Sequence, residues 1–337
     1  MSQPASQDEI EEIGLRYSSA NEPGIIRLRK GRGFAYFDSR GERVSDARAL
    51  SRIRSLVIPP AWQDVWICRS AHGHLQAVGR DAKGRRQAIY HPEYRSHREQ
   101  VKFESMRDFG EILPTLREQV DADLRRTQLS RDRVLAVLVR LLEETLIRIG
   151  NQQYAAANDS YGLTTLRSDH VEASSSSLRF QFRGKSGKEH VILARDRRAV
   201  RIVRQCQDLP GQALFQYLDE QGEPRPVTSG DVNDYLRTVT GTDFTAKHFR
   251  TWAATRECIR RMRGVEEFHP RLMPTLVKDV AALLGNTPAV CRRSYIHPRV
   301  LEPWEEPPSW LVSALPESAS TYFEPIEEIM MNDLLIR

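Results

Sequence analysis

The hydrophobic period of this chain changes once, near residue 100, and that change limits what it can fold into. Before it, apolar and polar residues alternate in short runs, the pattern of strands with one buried face. GFAYFDSRGERV alternates around Ser39-Arg40-Gly41. VWICRSAHGHLQAVGRDAKGRRQAIYH does so twice, with turns at Ala71-His72-Gly73 and Ala82-Lys83-Gly84. Between these runs, SDARALSRIRSL reads as a short helix ended by Ile58-Pro59-Pro60. After residue 100 the period is helical. SRDRVLAVLVRLLEETLIRIG puts Val134, Leu135, Val137, Leu138, Leu141, Leu142 and Leu146 on one side, with Ser130 as N-cap and Gly150 as stop. Residues 196–207, 231–239, 246–263 and 273–284 also read as helices. LTTLRSDHVEA and SLRFQFRGKSGKEHVIL interrupt them as a small antiparallel sheet. Its Leu178, Phe180 and Phe182 alternate with Arg179, Gln181 and Arg183, and Gly184 to Lys188 form the turn.

The expected fold class is therefore α+β: a β-rich domain over 1–99, a mainly helical domain over 100–302 with a small antiparallel sheet, and a tail over 303–337. The polar, basic HPEYRSHREQVKF is the expected hinge. A length of 337 residues suits two domains better than one. Charge is unevenly spread. From Glu302 onward there are eight acids and one base, which leaves 49 bases against 37 acids in the first 301 residues. A basic body suggests a surface for a polyanion. No run approaches the roughly 18–20 apolar residues of a membrane span, and the N-terminus is polar and acidic without a signal pattern. A soluble intracellular protein is the expectation. Cys68, Cys206, Cys258 and Cys291 are widely separated and read as reduced structural thiols.

Five residues could together make a site for attack on a phosphodiester: Arg148, Lys185, Arg250, Asn286 and Tyr295, in IRIGN, FRGKSGKEH, KHFRTW, LGNTPAV and RRSYIHP. A tyrosine with a pKa near 10 is only about 0.1% phenolate at neutral pH, so a nucleophilic Tyr295 needs cations beside it. Two guanidiniums can bind both nonbridging oxygens of a diester as charge builds there. An alkoxide is a poor leaving group, so an ammonium such as Lys185 would have to protonate it. Asn286 can donate a hydrogen bond but carries no charge. Each has a plainer reading: Arg148 as a salt bridge to Glu143 or Glu144, Arg250 and Lys185 as solvated charges, Asn286 as a helix C-cap, Tyr295 as packing.

In order and surroundings these segments resemble the type IB DNA topoisomerases, in particular the compact branch shared by poxviruses and bacteria. IPPAWQDVWIC and GHLQAVGRDAKGRRQAIYHPEYR resemble that branch's N-terminal DNA clamp, so the resemblance covers roughly residues 24–300. It implies a two-domain C-shaped clamp on duplex DNA. Tyr295 would be the nucleophile, Arg148 and Arg250 the phosphate clamps and Lys185 the general acid, with Lys188 as the alternative. Asn286 would stand where many relatives carry histidine. Candidate DNA contacts are Arg80, Arg85, Gln87 and Tyr90 in the front domain, and Tyr154, Arg167 and Lys247 in the helical one. The implied reaction is transient single-strand cleavage through a 3′-phosphotyrosyl link, relaxing positive and negative supercoils without ATP, metal or any other cofactor. The sequence carries no P-loop, zinc spacing or acidic cluster suited to two magnesium ions. A monomer associated with the nucleoid in the cytoplasm follows from the same resemblance. Two alternatives stand: a tyrosine site-specific recombinase, against which the β-rich front argues, and a catalytically silent DNA-binding clamp. The acidic tail could compete with DNA, or simply solubilise the chain or pack on the domain.

Overall fold

The alternating segments of the first hundred residues form one five-stranded antiparallel sheet in a computed structural model, which describes residues 6–266, 268–316 and 321–336. By its internal contacts the chain divides into two units, Met1–Lys102 and Phe103–Arg337.

In the first unit, α1 (Gln7–Glu12) opens with a reciprocal cap between Ser6 and Glu9. The strands β1 (Ile25–Lys30) and β2 (Gly33–Phe37) are followed by α2 (Ala47–Ser55), capped by Asp46 through the Ala49 amide at 2.6 Å. Then come β3 (Gln63–Ile67), β4 (Leu75–Arg80) and β5 (Arg86–Tyr90), in the sheet order β2-β1-β3-β4-β5. Ile25, Val65, Ile67 and Ala77 bury one sheet face with Ile53 of α2. The hairpin expected around Ser39-Arg40-Gly41 is only a turn. The Asp38 carboxylate accepts the Arg40 and Glu42 amides at 2.9 and 3.0 Å, and beyond it only an isolated bridge joins Phe37 to Arg43. The partner of β2 is β1.

HPEYRSHREQVKF, the expected hinge, contains the division between the units, and from Pro92 onward it is helical, opening the 33-residue α3 (Pro92–Leu124). No glycine interrupts the helix before Gly110. Phe103, Met106, Phe109, Leu113, Leu116, Val120 and Leu124 form a buried stripe at spacings of three and four, which polar neighbours hide in the sequence.

The second unit is organised around α4 (Arg131–Thr145). Its residues Val134 to Val139, with Leu141 and Leu142, are at most 2% exposed, so neighbours cover it on every side. Ser130 holds the N-cap position, but its hydroxyl makes no capping bond. The helix stops five residues before Gly150, because Leu146 turns left-handed at φ 56°. There follow α5 (Gln152–Asn158), β6 (Val171–Ala173), β7 (Leu178–Arg183), β8 (Glu189–Ala194) and α6 (Arg197–Gln207). LTTLRSDHVEA is mostly two 3-10 turns, Leu163–Thr165 and Ser168–His170. Only its end, β6, joins the three-stranded sheet β6-β7-β8. A short ladder of β9 (Gln216–Leu218) and β10 (Pro224–Pro226) precedes α7 (Ser229–Thr240), α8 (Ala246–Arg263), α9 (Met273–Leu283) and α10 (Pro288–Ser294). α6, α7 and α8 all pack on α4.

The acidic C-terminal segment is set apart by charge but not by packing. In α11 (Pro298–Leu301), α12 (Ser309–Val312), α13 (Pro325–Ile329) and the π turn after it, Val300, Trp310, Leu311, Ile326, Ile329, Met330 and Leu334 enter the main core. Glu327 is fully buried and accepts from Arg117 at 2.7 and 2.8 Å, Trp252 at 2.8 Å and Arg256 at 3.0 Å. Burial would raise its carboxyl; Arg117, Trp252 and Arg256 outweigh that and hold it at about 2. Of the readings left open for this segment, the described residues favour packing on the domain over competition for DNA.

Candidate active site

Arg148 lies in the extended segment after α4, where its own backbone is fixed from the side. Its carbonyl accepts the Leu163 amide at 2.8 Å, and the Ile149 carbonyl accepts the Thr164 amide and hydroxyl, both at 2.8 Å. That approach depends on Gly162, since a β-carbon there would fall 2.4 Å from the Arg148 oxygen. The left-handed Leu146 and Gly150 (φ 99°) bracket this segment and turn it away from the helix axis. The Arg148 guanidinium donates to Oδ1 of Asn286. The salt bridge considered from sequence does not form: Glu143 pairs with Arg117, and Glu144 accepts the Arg195 amide.

Arg250, one turn into α8, is 5% exposed. It donates to the carbonyls of Leu146 and Leu284, the latter at 2.7 Å, and its Nε is buried without a hydrogen-bond partner among the described residues. Each carbonyl belongs to a chain end just past a helix, so one guanidinium ties the ends of α4 and α9 to the start of α8. Burial, and then the charge of Arg148, push Arg250 down to about 10. Two guanidiniums brought together this way stay cationic at neutral pH and form a site for an anion.

Asn286 follows Gly285, whose φ of 62° bends the chain out of α9. A guanidinium only donates, so the contact with Arg148 fixes the amide orientation and leaves Nδ2 as the remaining donor. That Nδ2 is buried with no hydrogen-bond partner among the described residues. The C-cap reading is also met in part, because the Asn286 amide donates to the Ala281 carbonyl at 2.9 Å. From there Thr287 caps α10, and α10 ends at Tyr295. The Tyr295 carbonyl accepts from Thr255 of α8, and the Arg250 guanidinium sits 5.5 Å from the centre of its ring. Burial would raise the phenol; Arg250, Arg148 and Lys247 outweigh it and hold the group below its ordinary 10.0.

Lys185 is exposed at the β7–β8 turn, where Ser186 (φ 65°) and Gly187 (φ 72°) reverse the chain. It lines a small cavity together with Arg148, His190, Leu146 and Leu284. Lys188 also faces this region, its Nζ 3.5 Å from the Gly285 carbonyl. Sequence reasoning passed over His190. Its ring stacks on Phe182 at 5.2 Å, and β-carbons added at Gly184 or Gly285 would fall 2.5 and 2.7 Å from it. It thus wedges between the residues preceding Lys185 and Asn286. Burial, then the charges of Arg148, Lys188 and Arg250, lower its pKa and keep it neutral. The signal was its place in FRGKSGKEH, two residues past Lys188.

The remaining candidates are spread more widely. Lys247 is exposed and close enough to act on the Tyr295 phenol. Tyr154 lies exposed on α5, and Arg167 stands exposed over the Tyr161 ring at 5.5 Å. In the first unit, Asp81 gathers Arg85 and Gln87 at 2.7 and 3.0 Å, while Arg80 reaches the Gly84 carbonyl at 3.0 Å. Tyr90 is 39% exposed; three residues from Gln87 on β5, it points to the opposite sheet face. Among the described residues, no three His, Cys, Asp or Glu side chains are grouped to hold a metal ion.

Comparison with known proteins bears on the family of the chain. Residues 91–307 match the family described as the catalytic core of eukaryotic DNA topoisomerase I. Residues 33–81 match the N-terminal domain of bacterial DNA topoisomerase IB. The chain is 30% identical over 301 residues to a DNA topoisomerase 1B of Acanthamoeba polyphaga mimivirus, covering 86% of this chain and 90% of that one. It is 23% identical over 250 residues to DNA topoisomerase 1B of vaccinia virus, strain Copenhagen, covering 72% and 75%. Among solved structures, a XerH site-specific recombinase bound to a palindromic difH substrate matches at TM-score 0.36 and 15% identity, over 56% of this chain and 48% of that one, too slight a likeness to carry an argument. With both domain families matched and a relative aligned along nearly its whole length, the chain belongs to the type IB DNA topoisomerases.

Proposed function

We propose that this enzyme relaxes supercoiled DNA by transesterification at Tyr295. The Tyr295 phenol gives up its proton to water, and its oxygen attacks a backbone phosphorus, forming a 3′-phosphotyrosyl bond as the bond to the 5′-oxygen breaks. Lys185 gives its proton to that oxygen, which leaves as a 5′-hydroxyl. After the free end swivels, the 5′-hydroxyl attacks the phosphotyrosine, returns its proton to Lys185 and releases Tyr295. One diester replaces another at each step, so the energy of the backbone bond is kept and no nucleotide need be spent. Developing charge on the nonbridging oxygens would be met by Arg148, Arg250 and Asn286, a role otherwise open to a metal ion.

The observation that carries this reading is the convergence of Arg148, Arg250 and Asn286 beside Tyr295, with buried N–H groups on Arg250 and Asn286 that have no hydrogen-bond partner among the described residues. A buried donor without a partner is costly, and a phosphate oxygen would satisfy both. Asn286 held by Arg148 serves as a fixed donor in place of a titrating one. A second reading of the acid has its own support: Lys188 lies 3.5 Å from the Gly285 carbonyl, next to Asn286. For DNA contacts, the exposed cations Lys247 and Arg167 and the exposed Tyr154 suit the backbone near the site. Arg80, Arg85, Gln87 and Tyr90 offer a second set from the first unit. For Arg85 and Gln87 to bind DNA, they must first leave Asp81. A DNA substrate places the enzyme with the chromosome, and we infer the nucleoid; no described helix is long and apolar enough to cross a membrane.

Incubating the protein with negatively supercoiled plasmid in EDTA without ATP tests the proposal. Relaxed topoisomers from the wild type and none from Tyr295→Phe are expected. Equal relaxation by both would assign the nucleophile elsewhere, and relaxation that required added magnesium would remove the metal-independent mechanism.

A further inference from the structure

We propose a second phosphate-binding site, a pocket lined by Arg125, Arg126, Arg133, Arg198 and Arg201 at the end of α4 remote from Arg148. The pocket encloses about 380 Å³, and no acidic side chain lines it. From Arg133 to Thr145, α4 advances 1.5 Å per residue, or about 18 Å, so the pocket is separate from the Tyr295 cluster.

Arg133 carries the argument. It is 4% exposed, yet no carboxylate pairs with it among the described residues. Its Nη1 is tied back to the Thr127 carbonyl at 2.9 Å and the Gln205 side-chain oxygen at 2.8 Å. Its Nε is buried with no partner, and its Nη2 makes no hydrogen bond among the described residues. Nε and Nη2 form one edge of the guanidinium, with parallel N–H groups spaced for two oxygens of one phosphate. A buried cation without a counter-charge is unfavourable; Arg250 shares that state at the Tyr295 cluster, whereas Arg117 and Arg27 are relieved of it. Arg117 has Glu143 and Glu327. Arg27 donates to the carbonyls of Ile58, Pro59 and Trp62 and stacks 4.2 Å from the Phe34 ring centre. Among the described residues, Arg133 has only two neutral oxygens and a neighbouring like charge, Arg201.

The other four arginines differ in how far they are already engaged. Arg126 pairs with Asp123 at 2.7 Å and Asp132 at 3.1 Å. Asp121 lies 3.6 Å from Arg125 and 3.3 Å from Arg198, but is shared with Arg140 at 2.5 Å. Arg201 is exposed with no ion pair among the described residues. It lies one helical turn beyond Arg198 on α6, so the two project from the same face. The acids therefore answer part of the charge and leave Arg133 and Arg201 unanswered. The volume is far beyond what one water needs, about 30 Å³, and room for a phosphate group with what it is attached to remains. That group could come from a free anion such as pyrophosphate or from a nucleic-acid backbone, and the two are separable.

The test uses the full chain and the double variant Arg198→Gln with Arg201→Gln. Both side chains are on the surface, whereas removing Arg133 would open the core. Pyrophosphate binding is measured by thermal shift at constant ionic strength, and duplex DNA affinity across a salt series. The proposal expects pyrophosphate to raise the melting midpoint of the wild type and its apparent affinity to weaken at least tenfold in the variant. If the salt slope for DNA is unchanged, the ligand is a free phosphate anion. If the slope also falls, by about 0.9 for each phosphate that the variant no longer neutralises, the ligand is a DNA strand. A fallen slope with no pyrophosphate effect likewise assigns the strand. Equal pyrophosphate binding and equal slopes in both proteins would overturn the site. All readouts are of binding, so failure of the Tyr295 chemistry would leave this result interpretable.

Discussion

At the scale of single residues, the site depends on donors held in place by their neighbours. Asn286 is held by Arg148 through Oδ1, and its Nδ2 is buried with no hydrogen-bond partner among the described residues. Asn286→Ala should slow single-turnover cleavage about 10²-fold, the scale of losing one donor to a developing anion, while DNA affinity changes little. A rate within threefold of wild type would remove Asn286 from the chemistry. The two hairpin lysines are told apart by the leaving group. In a DNA whose 5′-bridging oxygen is replaced by sulfur, the strand leaves as a thiolate, whose conjugate thiol has a pKa of about 8.5, and needs no acid. The slow cleavage expected of Lys185→Ala should recover on that substrate; if only Lys188→Ala recovers, Lys188 is the acid. The phenol has its own pH signature. Arg250, Arg148 and Lys247 hold Tyr295 below 10.0, so cleavage should rise with pH along a limb below that value. Removing one of these charges in Lys247→Gln should move the limb upward, and an unmoved limb would contradict the charge argument. The five candidates were chosen because their segments, in order, resemble those of the family, with residue types that suit the chemistry. The pairing of Arg148 with Asn286 was not legible, since 138 positions separate them.

At the scale of elements, helices were legible where the apolar period is local. α6, α7, α8 and α9 match the expected spans within two residues. The start of α3 was hidden because charged residues surround its buried stripe, and LTTLRSDHVEA misled because β-prone residues there form 3-10 turns against Arg148 and Ile149. What sequence could not display is which glycines face which backbone. Gly162 and Gly285 each hold a site segment at close quarters: a β-carbon would fall 2.4 Å from the Arg148 carbonyl oxygen in one case and 2.7 Å from the His190 ring in the other. Gly162→Ala meets rigid backbone and should cost about 1–3 kcal/mol, and it should lower cleavage more than DNA binding. Urea titration beside single-turnover kinetics checks both; a stable, fully active Gly162→Ala protein would show that Arg148 is positioned by something else.

At the scale of the whole molecule, the charge of the last 35 residues was legible, and packing on the domain was among the readings it left open. Glu327 is an internal counter-ion for Arg117 and Arg256 beneath a cover of apolar side chains. Breaking a buried pair by removing one partner costs about 3–5 kcal/mol, so Glu327→Ala should be strongly destabilised in urea. Tighter DNA binding at low salt with unchanged stability would instead favour a competing tail. The pH dependence follows in sign. The folded pKa of Glu327, about 2, lies below its unfolded value of 4.5, so its contribution is present above 4.5 and is lost as pH falls toward 2. His74, His170 and His190 also have lowered pKa values, so stability should begin to fall once pH drops below about 6.5, where the unfolded chain takes up protons first. The central claim is that one chain carries the whole transesterification on Tyr295. The most direct test uses a duplex whose released 5′-hydroxyl fragment is short enough to dissociate, which traps the covalent intermediate for peptide mapping. A single peptide holding Tyr295 joined to a 3′-phosphate is the predicted result; a 5′-phosphate link, or a linkage to another residue, would contradict it.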